Sequence, residues 1–448
     1  ATLDEVVVTA LGIEKKKDDD VSSSTTVSTE AIGRANETGL IQGMAGKTSG
    51  LRITRNTGDP GAGAYIQIRG QNTINGASAP LIILDGTPID NSSIGGGTAG
   101  VAQQSRLNDI PQDDIESVTV LKGAAAAAVW GTGAANGVIV IKTKSGASSG
   151  KKVSVNVRST VTVDEINIEF DKQSQFGQGF PEWWYGDLGY SDGQYGVYYP
   201  NTGFSWGDTI GNRAGGDDAV TVGNQRFESA TGNIIYPLVT KNDNGVYNNS
   251  NRDQVFGTGI TYDNSVSASF NGDDSNTFLS FSDLSQDGII QGKSNYRRQS
   301  LRLNQVSELS DKFTAKFNVQ YTKTKSDRVQ QGSNLQGLYL GYLRTAPDFD
   351  NRDYIGTYYD SDNVPTANSH RSYRKYLGSG APVYNNPGWT INEQDNPNNV
   401  ERFIVSPELN WKIRDNINIV AKYGLDYYTD HRETYFPVNS AAGLGTGS

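Results

Sequence analysis

The chain has no cysteine, one methionine and two histidines. Without cysteine there are no disulfides, no thiolate zinc sites and no cysteine nucleophiles. The histidines, His370 and His431, lie far apart and have no metal-ligand spacing. A basic excess is also missing: 39 Lys and Arg against 49 Asp and Glu give 39 − 49 = −10. A general nucleic-acid binder needs a basic face to displace phosphate counterions, so that class is set aside. No apolar run is long and continuous enough for a spanning helix. The best candidate, Gly123–Ile141, is broken by Gly131, Thr132, Gly133, Asn136 and Gly137. It reads better as a short Ala-rich helix, a Gly turn and a buried strand. Ala1 is followed by no basic segment and no apolar core, so no secretory leader is read there.

What is present is glycine (52), tyrosine (23) and a dense background of Asn, Ser, Thr and Asp, with only 35% hydrophobic residues. That composition fits a loop-rich β protein or a partly disordered chain. Alternation decides between them. Val153, Val155, Val157, Val161 and Val163 alternate with Ser154, Asn156, Arg158, Thr160 and Thr162. Phe313, Ala315, Phe317, Val319 and Tyr321 alternate with Thr314, Lys316, Asn318, Gln320 and Thr322. The segments 402–414 and 417–427 repeat the pattern. Period two over ten or more residues gives one apolar face and one wet face. Seven such strands are read near 152–163, 261–270, 277–285, 297–306, 313–325, 402–413 and 416–430. They are joined by short polar turns on one side and long loops on the other, the pattern of an outer-membrane barrel. A soluble sandwich would expose too many valines and aromatics to water.

Ahead of the strands the chain has other signals. Residues 1–9 hold three consecutive valines, suited to pairing with another protein's sheet edge. Residues 14–30 are charged and then Ser/Thr-rich, and read as a linker. Gly46-Lys47-Thr48 resembles the end of a phosphate loop, but the first glycine would fall on Ile41 and no strand precedes it, so no nucleotide site is assigned. Tyr65–Gly70 (YIQIRG) reads as a strand running into a turn. Pro80–Asp90 (PLIILDGTPID) reads as a strand with a hairpin signal at Asp85-Gly86. Asp109–Gly123 reads as a short helix start and then a strand from Ser117, and Gly137–Gly146 as another strand.

The ordered series LDEVVVT, AGKTSGLRI, IQIRG, PLIILDGTPI and DIESVTVLKGAAAAAVWGTGAANGVIVIKTKSG resembles the TonB box and plug of TonB-dependent transporters. The similarity is to the SusC/RagA-like branch. Later segments add to it: Gln175–Gly179 (QFGQG), Ser205–Gly207 (SWG), Phe256–Asn264 (FGTGITYDN) and Leu343–Phe349 (LRTAPDF). The resemblance implies a membrane β-barrel of about 22 strands with an α/β plug in its lumen, of which this chain holds the first strands. It divides the chain into TonB box and linker (1–30), plug (31–147) and barrel with long extracellular loops (148–448). It implies that Asp4, Glu5, Val6, Val7, Val8 and Thr9 bind TonB. Arg69, Gly70, Asp85, Gly86, Lys122 and Gly123 would lie in the plug's central strands and turns.

The implied function is active import of a nutrient, an oligosaccharide or an oligopeptide, across the outer membrane of a Gram-negative bacterium. The implied partners are TonB with ExbB and ExbD, a SusD-like surface lipoprotein and outer-membrane lipid. No enzymatic step and no cofactor are expected. The alternatives are a signalling receptor and a surface adhesin without transport. Trp183, Trp184, Tyr185 and Trp206, in the first long loop, could contact substrate or partner, or pack the loop. Lys241–Gly245 (KNDNG) could bind calcium, or be a solvated loop.

Overall fold

The computed structural model describes residues 6–8, 14–16, 23–28, 39–70, 79–91, 100–122, 130–146, 152–181, 190–191, 196–332, 334–380 and 382–441. The N-terminal strands are β1 (Val6–Val8), β2 (Glu14–Lys16), β3 (Ser23–Ser28), β4 (Leu51–Arg55), β5 (Ala64–Ile68), β6 (Leu81–Leu84), β7 (Thr87–Ile89), β8 (Ile115–Lys122) and β9 (Val138–Thr143). Strands β3-β8-β9-β6-β7 form one five-stranded sheet in that order, and β4-β5 a separate hairpin. Pairing is antiparallel except β6 on β9.

Strand β6 (LIIL) and the first four residues of β9 (VIVI) are continuous Ile, Leu and Val, and β8 is buried from Val118 to Lys122, because both faces of these strands are covered. Ile82, Leu84, Val118, Val120, Ile139 and Ile141 join α1 (Leu40–Gly43), Leu51, Ile66 and Ile68 in the main core, while Ile83, Leu121, Val138 and Val140 form a second cluster. Burying each such side chain stabilises by roughly 1.5–3 kcal/mol, an upper estimate since unfolded chains are not fully extended. The hairpin at Asp85-Gly86 is as expected. Both residues have positive φ, 48° and 87°, the conformation of a type I′ turn.

Three expectations are corrected here. The linker does not run to residue 30, since Ser23–Ser28 pairs with Ser117–Lys122 and Val27 is buried. Its β-branched run Thr25-Thr26-Val27 suits an edge strand better than its polarity suggested. The plug sheet therefore begins before residue 31. At Asp109–Gly123 the short helix is two single 3₁₀ turns, Arg106–Asp109 and Gln112–Asp114, and the strand starts at Ile115. The Ala-rich stretch 123–129 lies outside the described residues.

The second body is an eight-stranded antiparallel sheet. Its strands are β10 (Val153–Asp164), β11 (Gly259–Asn271), β12 (Ser275–Asp287), β13 (Asn295–Ser310), β14 (Phe313–Asp327), β15 (Pro397–Arg414), β16 (Ile417–Lys422) and β17 (Leu425–Arg432). Because β16 and β17 both pair with β15, they are one wall strand interrupted at Tyr423-Gly424. The sheet is an open sector of wall, with β10 at one end and β16–β17 at the other.

Parity sorts its faces as expected. On β14, Phe317 is 45% exposed on the outer face, while Gln320 is 2% exposed against the plug. Lys412 shares the parity of buried Arg402, but a register shift between Lys412 and Arg414 ends the argument there. The short turns at one end are matched by long loops at the other. Those loops carry α2 (Asn248–Val255), α3 (Leu338–Arg344) and α4 (Pro387–Asn392), packed around Val255, Phe256, Val329, Leu338, Tyr342 and Ile391. A small four-stranded loop sheet, Ile234–Ile235, Arg226–Ser229, Ile355–Tyr359 and Pro365–His370, lies in the same layer.

Candidate functional site

The plug meets the wall through a polar seam, because the residues on the wall's inner face are the wet half of each alternating strand. Near the short turns, Asn304 donates to Thr143 Oγ1 (2.7 Å) and to the Lys144 carbonyl (2.8 Å). One level further, Arg302 lies between two plug carboxylates, 3.4 Å from Asp85 and 3.4 Å from Asp114, and also donates to Gln320. Gln320 and Thr322 in turn donate to the Asp109 carbonyl at 2.9 and 3.0 Å. Arg298 donates to the Asn108 carbonyl at 2.8 Å.

Arg402 makes the densest contact. It binds Asp426 with two parallel bonds of 2.8 and 2.7 Å, reaches the Arg106 carbonyl (2.6 Å) and the Asp90 carbonyl (3.1 Å), and lies 3.3 Å from Asp109. Arg106, Arg298, Arg302 and Arg402 are all buried. Toward the long loops, Gln104 of the plug is held between Ser326 and Asn398.

Backbone approach is close as well. A side chain at Gly424 would collide with Thr87 of the plug, and one at Gly146 with Thr277 of the wall. Among the described residues, the one wall side chain inside the plug's main apolar core is Ile404. The seam can therefore part mostly by exchanging hydrogen bonds with water. Each such exchange is worth about 0.5–1.5 kcal/mol net between neutral groups and about 1.5–3 kcal/mol where an arginine or carboxylate takes part, whereas opening the plug core would expose many apolar side chains.

The expected site residues fall in three places. Asp85 and Gly86 are in the seam: Asp85 also accepts from the Thr143 N–H (2.9 Å) and hydroxyl (2.7 Å), and Gly86 faces Lys422. Lys122 lies inside the plug, donating to Thr25 (2.8 Å) and Ser49 (3.1 Å), and so ties β3 to the rest. Arg69 (φ 63°) and Gly70 form the turn that ends β5, with the Arg69 N–H on the Gly50 carbonyl at 2.7 Å. The Arg69 side chain is exposed, whereas the seam arginines are buried. Gly123 lies outside the described residues.

Sequence reading missed the arginines of the seam and, apart from Asp85, their acidic partners. The available signal was charge on the wet parity of a barrel strand, as at Arg298, Arg302 and Arg402.

Of the TonB-box residues, Val6, Val7 and Val8 form β1, paired antiparallel with Lys16, Lys15 and Glu14. Asp4, Glu5 and Thr9 lie outside the described residues. The valine run thus takes up the extended pairing that its β-branched residues favour, here with its own chain.

In the loop layer, Trp206 is 61% exposed and lies 6.4 Å from Phe176 between ring centres, beside Phe180–Phe204 at 5.4 Å and Phe180–Tyr199 at 5.8 Å. Trp183, Trp184 and Tyr185 lie outside the described residues. Below these rings Arg213 binds Asp208 and Asp348, each at 2.7 Å. In the 241–245 loop the Lys241 ammonium lies 2.8 Å from Asp218 and 3.5 Å from Asp243, so the chain supplies its own cation there.

Lys172 and His370 are among the loop groups whose pKa values burial displaces. Burial lowers Lys172, which donates to the Tyr342 and Thr345 carbonyls, to about 8. Burial pushes His370 down to about 3. This histidine is stacked on Trp389, with 4.9 Å between ring centres, and its Nε2 accepts from the Asn386 N–H while Nδ1 faces the Asn439 carbonyl.

Residues 16–138 match the family model described as the TonB-dependent Receptor Plug Domain. Over 433 residues, 95% of the chain, the sequence is 28% identical to the TonB-dependent receptor SusC of Bacteroides thetaiotaomicron, of which it covers 35%. It is 33% identical over 163 residues to the TonB-dependent receptor P26 of Formosa agariphila, covering 36% of this chain and 15% of that one. Among solved structures, the RagAB peptide importer in its open-open state superposes with a TM-score of 0.65 at 19% identity, over 96% of this chain and 43% of that one. Its closed-closed state gives 0.61 at 17% identity, over 92% and 41%. The chain thus spans about a third of the length of its SusC relative.

Proposed function

We propose, from the membership of this chain in the SusC/RagA-like branch of the TonB-dependent outer-membrane receptors, that it forms the plug and the first wall strands of an active nutrient importer. The observation that carries the proposal is the polar seam. A plug whose core is apolar but whose contact with the wall is hydrogen-bonded can be displaced as a body and can return.

The substrate, an oligosaccharide or oligopeptide, is captured on the loop side together with a SusD-like surface lipoprotein. Asp4–Thr9 then presents an extended strand in the periplasm. TonB pairs with it by main-chain hydrogen bonds and pulls, driven through ExbB and ExbD. The seam parts, substrate passes between plug and wall, and no covalent bond in the substrate is made or broken. Exposed Trp206 and its aromatic neighbours supply the flat apolar surface that a lipoprotein or a sugar ring packs on.

The test is deletion of Asp4–Thr9 in the full-length protein on the cell surface, with fluorescent oligosaccharides and oligopeptides as probes. Surface capture should persist while uptake is lost. Normal uptake by the deletion would refute the TonB-box assignment.

A further inference from the structure

The outermost contact between plug and wall joins backbone to backbone, flanked by two side-chain bonds, and it has a second attachment one residue away. Past the end of β14 the chain leaves the wall at Arg328. Arg328 donates to the Ala102 carbonyl of the plug at 3.2 Å. Gln330 and Val101 form an antiparallel bridge. The N–H groups of Gln331 and Gly332 both donate to the Gly100 carbonyl at 3.0 Å. The Gln331 side chain donates to Asp59, on a separate plug loop.

The fit leaves no room for a side chain. Gly100 has φ 88°, and a Cβ there would lie 2.2 Å from the Gly332 oxygen. A Cβ on Gly332 would lie 3.0 Å from the Gly100 Cα.

Between Arg328 and Gln330, Val329 points the other way. It is 2% exposed and belongs to the apolar cluster that holds α2, α3 and α4 together. Gln330 also holds that layer, through its carbonyl to the Leu338 N–H at the start of α3 (3.0 Å) and through its side chain from Gln394 beyond α4 (3.2 Å). Adjacent residues are thus fixed in two bodies. The Cα atoms of neighbours are about 3.8 Å apart across a trans peptide, so neither body can move further without dragging the other or breaking these bonds.

We propose that residues 328–332 are a clasp that couples the extracellular helical layer to the plug apex, so that the two open as one unit. An event on the loops would then be felt by the plug without any change in the seam arginines below. The purpose of such coupling rests on the import reading; its existence does not.

Hydrogen exchange by mass spectrometry on the full-length protein in lipid nanodiscs tests it, with neither substrate nor TonB present. Gly100→Val breaks the clasp from the plug side. It should speed exchange not only at 330–332 but also at Gly341 in α3 and at Thr345, which caps it, by about tenfold or more. A second variant guards against misfolding. The chain has no native cysteine, and an antiparallel bridge places its Cα atoms about 4.5–5.5 Å apart, inside the disulfide range. Oxidised Val101→Cys/Gln330→Cys should slow exchange in α3 and at 100–104 together, and reduction should reverse this. Unchanged α3 exchange in both variants would overturn the clasp. Loss of TonB binding by residues 4–9 would instead refute the import reading and leave the clasp standing.

Discussion

Removing Arg402 gives the most demanding test of the seam. Its guanidinium satisfies Asp426 twice, two plug carbonyls and part of Asp109. Its side chain is 1% exposed, as is that of Asp109, while that of Asp426 is 8% exposed. Arg402→Met fills similar space but leaves both carboxylates buried. Breaking a buried pair from one side costs about 3–5 kcal/mol. Asp109 keeps Arg106 at 3.6 Å, and Asp426 keeps the Asp90 N–H at 2.9 Å. The lower end therefore applies, about 3 kcal/mol, or roughly 150-fold in the opening equilibrium.

The assay is hydrogen exchange at Ile110, whose N–H bonds to the Leu107 carbonyl within the 3₁₀ turn held by this arginine. Arg402→Met/Asp426→Asn should recover part of the loss, since it removes one stranded charge. A single variant that exchanges within about threefold of wild type, well under 1 kcal/mol, would refute the seam as the holding contact. So would a double variant worse than the single one.

Further outcomes follow from the same geometry. Phe317→Arg should impair folding into lipid vesicles by about 2–4 kcal/mol, while Asn318→Arg on the wet face should be tolerated; equal tolerance of both would reject the facing of β14. Gly424→Val should displace the plug, because its Cβ would collide with Thr87; unchanged protease resistance of the plug would count against that close approach. His370 should make the loop layer acid-labile. Its pKa is held at about 3, below the unfolded value of about 6.5, so the unfolded chain takes the proton first as pH falls. Stability is full above pH ~6.5 and is lost below it by up to about 1.4 kcal/mol per pH unit, flattening near 3. In urea titrations His370→Gln should remove that slope; a slope that persists would assign it to other groups. Trp206→Ala should weaken capture of partner or substrate and leave the melting temperature unchanged, since the ring is largely exposed.

Much of this was legible because strands with one wet and one apolar face announce themselves by parity. The seven wall strands, the Asp85-Gly86 hairpin and the outward facing of Phe317 come from local pattern alone. The rest depended on contacts between distant residues. Arg298, Arg302 and Arg402 looked like ordinary wet-face charges until the plug carbonyls and carboxylates were brought beside them. Ile404 breaks the wet parity of β15 because it enters the plug core, which no local period reports. Ser23–Ser28 looked like linker because its neighbours are polar, and only its partner strand β8 made it part of a sheet. The clasp is similarly silent in sequence, since Gly100 and Gln330–Gly332 are joined by main chain.

The import account turns on whether TonB recognises the first strand. Calorimetric titration of the periplasmic C-terminal domain of TonB into a peptide of residues 1–12 measures this directly. The account predicts saturable binding that is lost when Asp4–Thr9 is scrambled. No binding by the native peptide, or equal binding by the scrambled one, would contradict it.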